Sequence, residues 1–242
     1  MLRTRYAFAA AFCEGRDVLE VACGPGMGLG YLAQRARRVI GADYTESFLQ
    51  RARQHYMERI ELLGLDAHAL PFREGSFDVV VFFEAIYYLA RPQAFLEECR
   101  RVLRPGGTLL VCTVNPEWPG FHPSPLSVRY FCAHELQDLL AAGHFETDLF
   151  GAFPALTPSR SHSALLRLRR LAARLGVIPR TMKGKELLKR LFYGHLVRLG
   201  EEITDDLAGL GSLAPLTEGA DGGPYKVLYA VGRKNARPCA ER

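Results

Sequence analysis

Hydrophobic positions follow two different periods along the first 114 residues, and segments with one period alternate with segments with the other. Five short apolar runs predict strands, and three stretches with apolar residues three or four positions apart predict helices. The fourth run contains DVVVFF and is almost wholly apolar, as expected for a strand buried on both faces of a sheet. The predicted strands are 17–22, 38–42, 60–65, 76–83 and 108–114, and the predicted helices are 28–36, 46–56 and 92–103. This alternation is typical of an α/β fold with a doubly wound parallel sheet.

The pattern changes after Asn115. Four prolines between residues 115 and 125 predict a loop, and a helix over 133–142 and strands over 145–150 and 224–232 follow it. If these two strands pair, the residues between them form an insertion at one edge of the sheet. We therefore predict a Rossmann-like domain over 1–150 with 224–234, and a helical, basic cap over 152–223 on the substrate side.

Hydropathy and cysteine usage favour the cytoplasm. No stretch reaches the roughly 18 uninterrupted apolar residues of a membrane span. The N-terminal residues MLRTRYAFAAAF precede no cleavage site and predict a helix of the mature protein. The six cysteines show no CxxC pair and no metal-ligand spacing, so they are expected to be small core residues in a reducing compartment, with no metal site.

Positive charge is concentrated in one segment. Residues 160–200 contain eleven Lys and Arg and a single acidic residue, Glu186, whereas the whole chain has a formal net charge of +5. This segment could form lid helices with a solvated basic face, attract an anionic acceptor such as a nucleotide- or lipid-linked sugar, or lie on an anionic membrane surface. The mildly acidic remainder and the lack of a recognisable RNA-binding module disfavour nucleic acid.

The segment VLEVACGPGMGLGYLA places Gly24, Gly26 and Gly28 between the first predicted strand and the first predicted helix. A glycine-rich turn there lets a ligand approach the main chain at the carboxyl edge of the sheet. The dinucleotide pattern GxGxxG is incomplete, because position 29 is Leu, and the lysine of a phosphate-binding loop is missing. A nicotinamide oxidoreductase is therefore a weaker hypothesis.

Four segments occur in order at characteristic spacings: VLEVACGPG, GADYTESFLQRA, LDAHALPFREGSFDVVVFFEAIYYL and RVLRPGGTLLV. Together they resemble a class I S-adenosylmethionine-dependent methyltransferase of the small-molecule or glycan type, similar to methyltransferase type 11. The resemblance implies S-adenosyl-L-methionine as the cofactor. It also implies a seven-stranded sheet of order 3-2-1-4-5-7-6 with the last strand antiparallel.

The cofactor has a ribose diol, for which Asp43 at the end of the second strand is a suitable acceptor; the alternative role of Asp43 is to cap the next helix. By resemblance, Glu20 anchors the glycine turn or the methionine end. Asp66 follows the third strand and fits the adenine amino group, with Ala67 offering a main-chain amide; the alternative role of Asp66 is to cap a helix. Arg5 could pair with the cofactor carboxylate. The full cofactor set is Arg5, Glu20, Ala22, Gly24, Gly26, Asp43, Tyr44, Asp66, Ala67 and Glu84. On this hypothesis, Asp43→Ala removes cofactor affinity and leaves the ligand-free melting temperature nearly unchanged.

Transfer of a methyl group to oxygen often requires a base. His122, in the proline-rich loop at the carboxyl edge, is the candidate base, and Tyr88 stands where relatives often have histidine. Tyr88 could shape the transfer site by attraction between its ring and the sulfonium, or could simply be packing. Glu84 is expected to lie under the sulfonium.

The sequence therefore predicts an enzyme that methylates oxygen on a small molecule or a sugar or glycan precursor. The alternatives are a lipid-like or quinone acceptor at the membrane surface and a catalytically silent protein that binds the cofactor. The identity of the acceptor is not encoded in these motifs.

Overall fold

The computed structural model describes residues 1–155, 202–203, 211–217 and 222–236. In these residues, one eight-stranded sheet is flanked by five α-helices. The strands are β1 (Asp17–Val21), β2 (Arg38–Asp43), β3 (Glu61–Gly64), β4 (Phe77–Phe83), β5 (Leu103–Val114), β6 (Phe145–Pro154), β7 (Leu213–Leu216) and β8 (Tyr225–Lys234). The helices are α1 (Leu2–Ala10), α2 (Leu29–Ala33), α3 (Glu46–Tyr56), α4 (Pro92–Val102) and α5 (Ala133–Ala142).

The sheet order is β3-β2-β1-β4-β5-β8-β6-β7. The first five strands are parallel, and β8 lies antiparallel between β5 and β6. The predicted doubly wound sheet is thus confirmed, including the antiparallel last strand. One strand is additional: β7 pairs with β6 at the edge of the sheet, within the segment for which the sequence predicts only a helical cap.

The two faces of the sheet are covered by different helices, which explains the apolar β4. On one face, α1, α2 and α3 contribute buried side chains such as Ala9, Leu32 and Leu49. On the other face, α4 and α5 contribute Leu96 and Leu136 among others. Since every second residue of a strand faces each layer, both sets of β4 side chains have an apolar partner.

Several element boundaries differ from those that the pattern predicts. Helix α2 has only five residues, and β6 continues to Pro154, beyond the predicted start of the cap at residue 152. The sequence RPGG after α4 lies within β5, next to a register shift between Phe77 and Val79 of β4. The predicted loop after Asn115 has no helix or strand up to residue 132.

The basic segment 160–200 lies outside the described residues, so its three interpretations stay predictions. Among the described residues, no helix is long and apolar enough to cross a membrane.

Candidate active site

The glycine turn after β1 has two physical requirements. Gly24 has φ +58° and Gly26 has φ +82°, a left-handed conformation that strains most other residues. Gly28 is required for a different reason, because a Cβ added there would overlap the ring of Tyr6. The turn therefore gives a tight backbone bend and lets α1 pack directly onto it.

Asp43 holds this turn from the end of β2. Its Oδ2 accepts a hydrogen bond from the Gly24 amide at 2.8 Å, and its Oδ1 accepts one from the Thr45 amide at 2.7 Å. Thr45 is the N-cap residue of α3, but within the described residues its side chain makes no capping bond. Asp43 thus links the carboxyl ends of β1 and β2, where a ligand of an open α/β sheet is expected.

Glu20 is a buried acid below the turn. The Tyr6 hydroxyl donates to Glu20 Oε1 at 2.5 Å, whereas Oε2 has no hydrogen-bond partner in the described part of the chain. Burial raises the pKa of Glu20 to about 8, against the opposing effect of the Tyr6 hydrogen bond, and the negative charge of Asp43 adds to the rise. An orphaned buried oxygen of this kind is suited to a donor brought by a ligand or water.

Glu84 directly follows β4 and has a left-handed conformation with φ +54°. Arg5 of α1 donates from Nη2 to Glu84 Oε1 at 2.6 Å, and the Tyr87 hydroxyl donates to Oε2 at 3.1 Å. Arg5, the candidate partner of the cofactor carboxylate, forms an ion pair with Glu84 in this structure, and its pairing with the cofactor stays a prediction. The pair fastens α1 to the carboxyl end of β4.

A cavity of about 540 Å³ opens above these strand ends, within the usual volume range of small-molecule sites. Eight of the twelve predicted site residues line it: Ala22, Gly24, Asp43, Tyr44, Asp66, Ala67, Glu84 and Tyr88. The other four, Arg5, Glu20, Gly26 and His122, are not among the described residues that line it. Arg5 and Glu20 lie behind the cavity wall. Arg5 contacts the lining residue Glu84, and Glu20 lies below the glycine turn.

His122, the predicted base, is exposed in the loop after β5 and stays a prediction. Asp66 does not cap a helix; it lies in a turn after β3, and its carboxylate pairs with His68. Its Oδ1 accepts from the amide of His68 at 2.9 Å and contacts His68 Nδ1 at 2.7 Å, and His68 also lines the cavity. The DAH triplet carries this pairing, and the sequence interpretation did not use it.

The charge of the cavity wall distinguishes between a dinucleotide and a positively charged ligand. Among the described lining residues there are three carboxylates, Asp43, Asp66 and Glu84, and no Lys or Arg. Such a wall disfavours the pyrophosphate of a dinucleotide and favours a ligand with positive charge. A sulfonium and an ammonium group on one nucleoside fit this lining, the volume and the unpaired Glu20 oxygen. No cluster of three or more His, Cys, Asp or Glu that could hold a metal occurs in the described residues.

The sheet order and the cleft over β1, β2 and β4 define the class I methyltransferase fold. Residues 19–111 match the family model described as a methyltransferase domain. This segment is therefore similar to a class I methyltransferase domain, a type whose cofactor is S-adenosylmethionine.

Two curated relatives and one solved structure agree with this assignment. The chain is 41% identical to a protein of Mycolicibacterium smegmatis named as a probable S-adenosylmethionine-dependent methyltransferase, and the match covers 61% of this chain and 59% of the relative. A fatty-acid O-methyltransferase of the same species is 38% identical, covering 46% and 41%. The chain thus spans less than two thirds of these relatives' lengths.

A SAM-dependent methyltransferase from Thermotoga maritima superposes with a TM-score of 0.62 at 17% identity, covering 96% of this chain and 89% of that one. At this identity the likeness shows the fold alone.

Proposed function

We propose that this protein transfers a methyl group from S-adenosylmethionine to an oxygen atom of a small molecule or of a sugar or glycan precursor. The observation that carries this proposal is the cavity at the carboxyl ends of β1, β2 and β4, whose described lining is acidic and has no basic side chain. A cationic methyl donor suits it, and a nicotinamide dinucleotide does not.

The residues of the wall divide into three roles in this proposal. Asp43 binds the ribose hydroxyls while it holds Gly24, and Asp66 with Ala67 contacts the adenine edge. Tyr44, whose side chain is largely exposed at the rim, covers the base. Glu20 supports the turn from below and offers its unpaired oxygen to the amino-acid end, directly or through water.

The bound cofactor would supply an electrophilic methyl group on a positively charged sulfur. The contribution of the protein is then to place the acceptor in line with that group and to exclude water. Tyr88, which lines the cavity and is about half exposed, is positioned at its mouth for this purpose.

A lipid-like acceptor is the second candidate. Leu126 and Val128 are exposed apolar side chains of the loop after β5, and the amide of Val128 donates to the Tyr87 carbonyl at 2.8 Å. This hydrogen bond places the loop beside Tyr87, the chain neighbour of the lining residue Tyr88, and the loop offers exposed apolar side chains to a lipid-like acceptor. The similarity to a protein named as a fatty-acid O-methyltransferase also supports this candidate.

Calorimetric titration with S-adenosylhomocysteine and, separately, with NADH tests the cofactor. We expect binding of the first in the micromolar range and none of the second; binding of NADH alone would refute the proposal. A radiolabelled methyl group then reports transfer to a panel of sugars, phenols, alcohols and fatty acids. Cofactor binding without transfer to any member would favour the silent cofactor-binding alternative.

A further inference from the structure

Glu84 combines three features that packing alone does not require. It lines the cavity, it directly follows the central strand β4, and its backbone is in the left-handed region at φ +54°. A non-glycine residue pays conformational energy there and is retained where the surroundings hold it in place, often at a functional site. The strained backbone therefore indicates a functional role for the Glu84 carboxylate.

The carboxylate is held from two sides and keeps accepting capacity. Arg5 Nη2 donates to Oε1 at 2.6 Å and the Tyr87 hydroxyl donates to Oε2 at 3.1 Å. Both side chains of the ion pair are largely buried, with 16% and 24% of their surfaces exposed. The Cys112 thiol also contacts Oε1, at 3.9 Å. Oε2 can accept a hydrogen bond besides that from Tyr87, so a hydroxyl group of a ligand still has an acceptor here.

Tyr87 is itself fixed, which makes this arrangement rigid. Its ring stacks on that of Tyr130 with centroids 5.0 Å apart and contacts Tyr88 edge-on at 4.5 Å. The neighbours of Glu84 in the cavity wall are Phe83, Ala85, Tyr88 and Leu89. Glu84 is thus flanked along the chain by apolar and aromatic side chains, and the other two carboxylates of the wall, Asp43 and Asp66, come from the ends of β2 and β3.

The charge balance determines which acceptor fits this end of the cavity. The positive charge of Arg5 is already matched by Glu84, so a ligand carboxylate would meet repulsion from Glu84 and would find no free cation among the described lining residues. A neutral hydroxyl group would instead donate to the carboxylate. Repulsive elements of this type are an ordinary source of specificity.

We propose that Glu84 is the acceptor-binding residue, that it takes the proton of a neutral phenol or alcohol on an apolar body, and that it excludes carboxylate acceptors. Arg5 is the positioning residue that holds Glu84. This inference rests on the proposed function. In the step, the acceptor O–H bond breaks and its proton moves to Glu84, the oxygen bonds to the methyl carbon, and the electron pair of the broken C–S bond stays on sulfur.

Two probes with the same apolar body separate the acceptor classes: 4-butylphenol, which is neutral at pH 7.5, and 4-butylbenzoate, which is charged. Their affinities are measured by calorimetry for the full chain saturated with S-adenosylhomocysteine. We expect the wild-type protein to bind the phenol at least about tenfold more tightly, because one repulsive contact costs on the order of 1.4 kcal/mol or more. Glu84→Gln should abolish this preference, since the repulsive charge is then removed and Arg5 behind it is left without its counterion.

Two further variants complete the design. Asp148→Asn, which removes the carboxylate of an exposed ion pair between Asp148 of β6 and Arg233 of β8, should leave the preference unchanged. Arg5→Met should increase the preference for the phenol, because Glu84 then repels the benzoate without compensation. Arg5→Met also keeps the test valid if Glu84→Gln fails to fold.

Methyl transfer to 4-butylphenol should fall by about 100-fold or more in Glu84→Gln, with the affinity for S-adenosylhomocysteine kept. Equal or tighter binding of the benzoate by the wild type, binding of neither probe, or a preference that Glu84→Gln does not change would overturn the inference. Loss of S-adenosylhomocysteine binding in the wild type would refute the proposed function instead.

Discussion

Asp43 has two roles that a sequence pattern does not distinguish: it holds two backbone amides, and it is proposed to bind the cofactor. Because both of its oxygens hold backbone amides, its removal leaves the amides of Gly24 and Thr45 without their acceptor. We therefore expect Asp43→Ala to lower the ligand-free unfolding free energy by about 1–3 kcal/mol in addition to removing cofactor affinity. Urea denaturation without ligand measures the first effect, and titration with S-adenosylhomocysteine measures the second.

A matched control for Asp43→Ala is Asp66→Ala, since Asp66 also lines the cavity but is exposed and bonds only within its own turn. It should weaken cofactor binding with little change in stability. If Asp43→Ala were as stable as the wild type, the two backbone bonds would not matter in solution. The sequence-based expectation of an unchanged melting temperature would then hold.

Glu20 gives the ligand-free protein a specific pH dependence. Its native pKa, about 8, is above the ordinary value of 4.5, so the folded state binds more protons than the unfolded state between these values. Stability from this group is therefore complete below about pH 4.5 and is lost as the pH rises through about 8, with a slope approaching about 1.4 kcal/mol per pH unit. Glu20→Gln should remove this slope in urea titrations at pH 5, 6, 7 and 8.

Tyr6→Phe is the informative companion of Glu20→Gln. It deletes the hydrogen bond that favours the ionised carboxylate, so the loss of stability should continue to higher pH than in the wild type. Parallel pH profiles of the wild type and Glu20→Gln would contradict the buried, proton-binding state of Glu20.

At the scale of elements, the packing of α1 against the glycine turn requires a residue without a side chain at position 28. A methyl group there would collide with the Tyr6 ring, so Gly28→Ala should destabilise the protein by about 1–3 kcal/mol and displace α1 from the glycine turn. In a Tyr6→Ala background the same substitution should cost much less, because the obstacle is gone. A double-mutant cycle of unfolding free energies measures this coupling; additive effects of the two substitutions would contradict the contact.

The elements that the sequence predicts correctly are those with a local signal. The run DVVVFF and the motif after β1 each specify their own conformation, and the carboxyl ends of parallel strands bring Gly24, Asp43 and Glu84 to one edge. Strand β7 was missed because LAPL is short and contains a proline, and its pairing with β6 is determined by the neighbouring strand. The contacts of Arg5 with Glu84 and of Tyr6 with Glu20 were also missed, because no local pattern records which distant side chains meet.

At the scale of the whole molecule, the two edges of the sheet have opposite electrostatic character. The carboxyl edge holds three acids that line the cavity, and Glu20 behind the cavity wall is buried with its Oε2 unpaired in the described part of the chain. The amino edge holds its acids in ion pairs: Asp17 at the start of β1 contacts Arg37 and Arg104, and Asp78 of β4 contacts Arg104. The cavity thus lies at the carboxyl edge, and the ion pairs of Asp17 and Asp78 lie at the opposite edge.

Asp17 should make stability depend on pH in the direction opposite to Glu20. Hydrogen bonds from Arg37, and next from Arg104, lower the pKa of this largely buried carboxyl below its ordinary value of 3.8. Its contribution is therefore present above about pH 4 and is lost as the pH falls through its native pKa. Asp17→Asn should cost about 1–3 kcal/mol at pH 7, and this difference from the wild type should shrink between pH 5 and pH 3.

The exposed pair of Asp148 and Arg233 provides the control for Asp17, because solvent screens it and Asp148→Asn should change stability by less than about 1 kcal/mol at any of these pH values. Cofactor affinity at pH 7 should be unchanged in Asp17→Asn, since this residue lies at the start of β1 and the cavity at its end. A constant difference in unfolding free energy from pH 7 to pH 3 would show that Asp17 stabilises the fold by packing rather than by charge. A loss of cofactor affinity in Asp17→Asn would show that the two edges of the sheet are coupled.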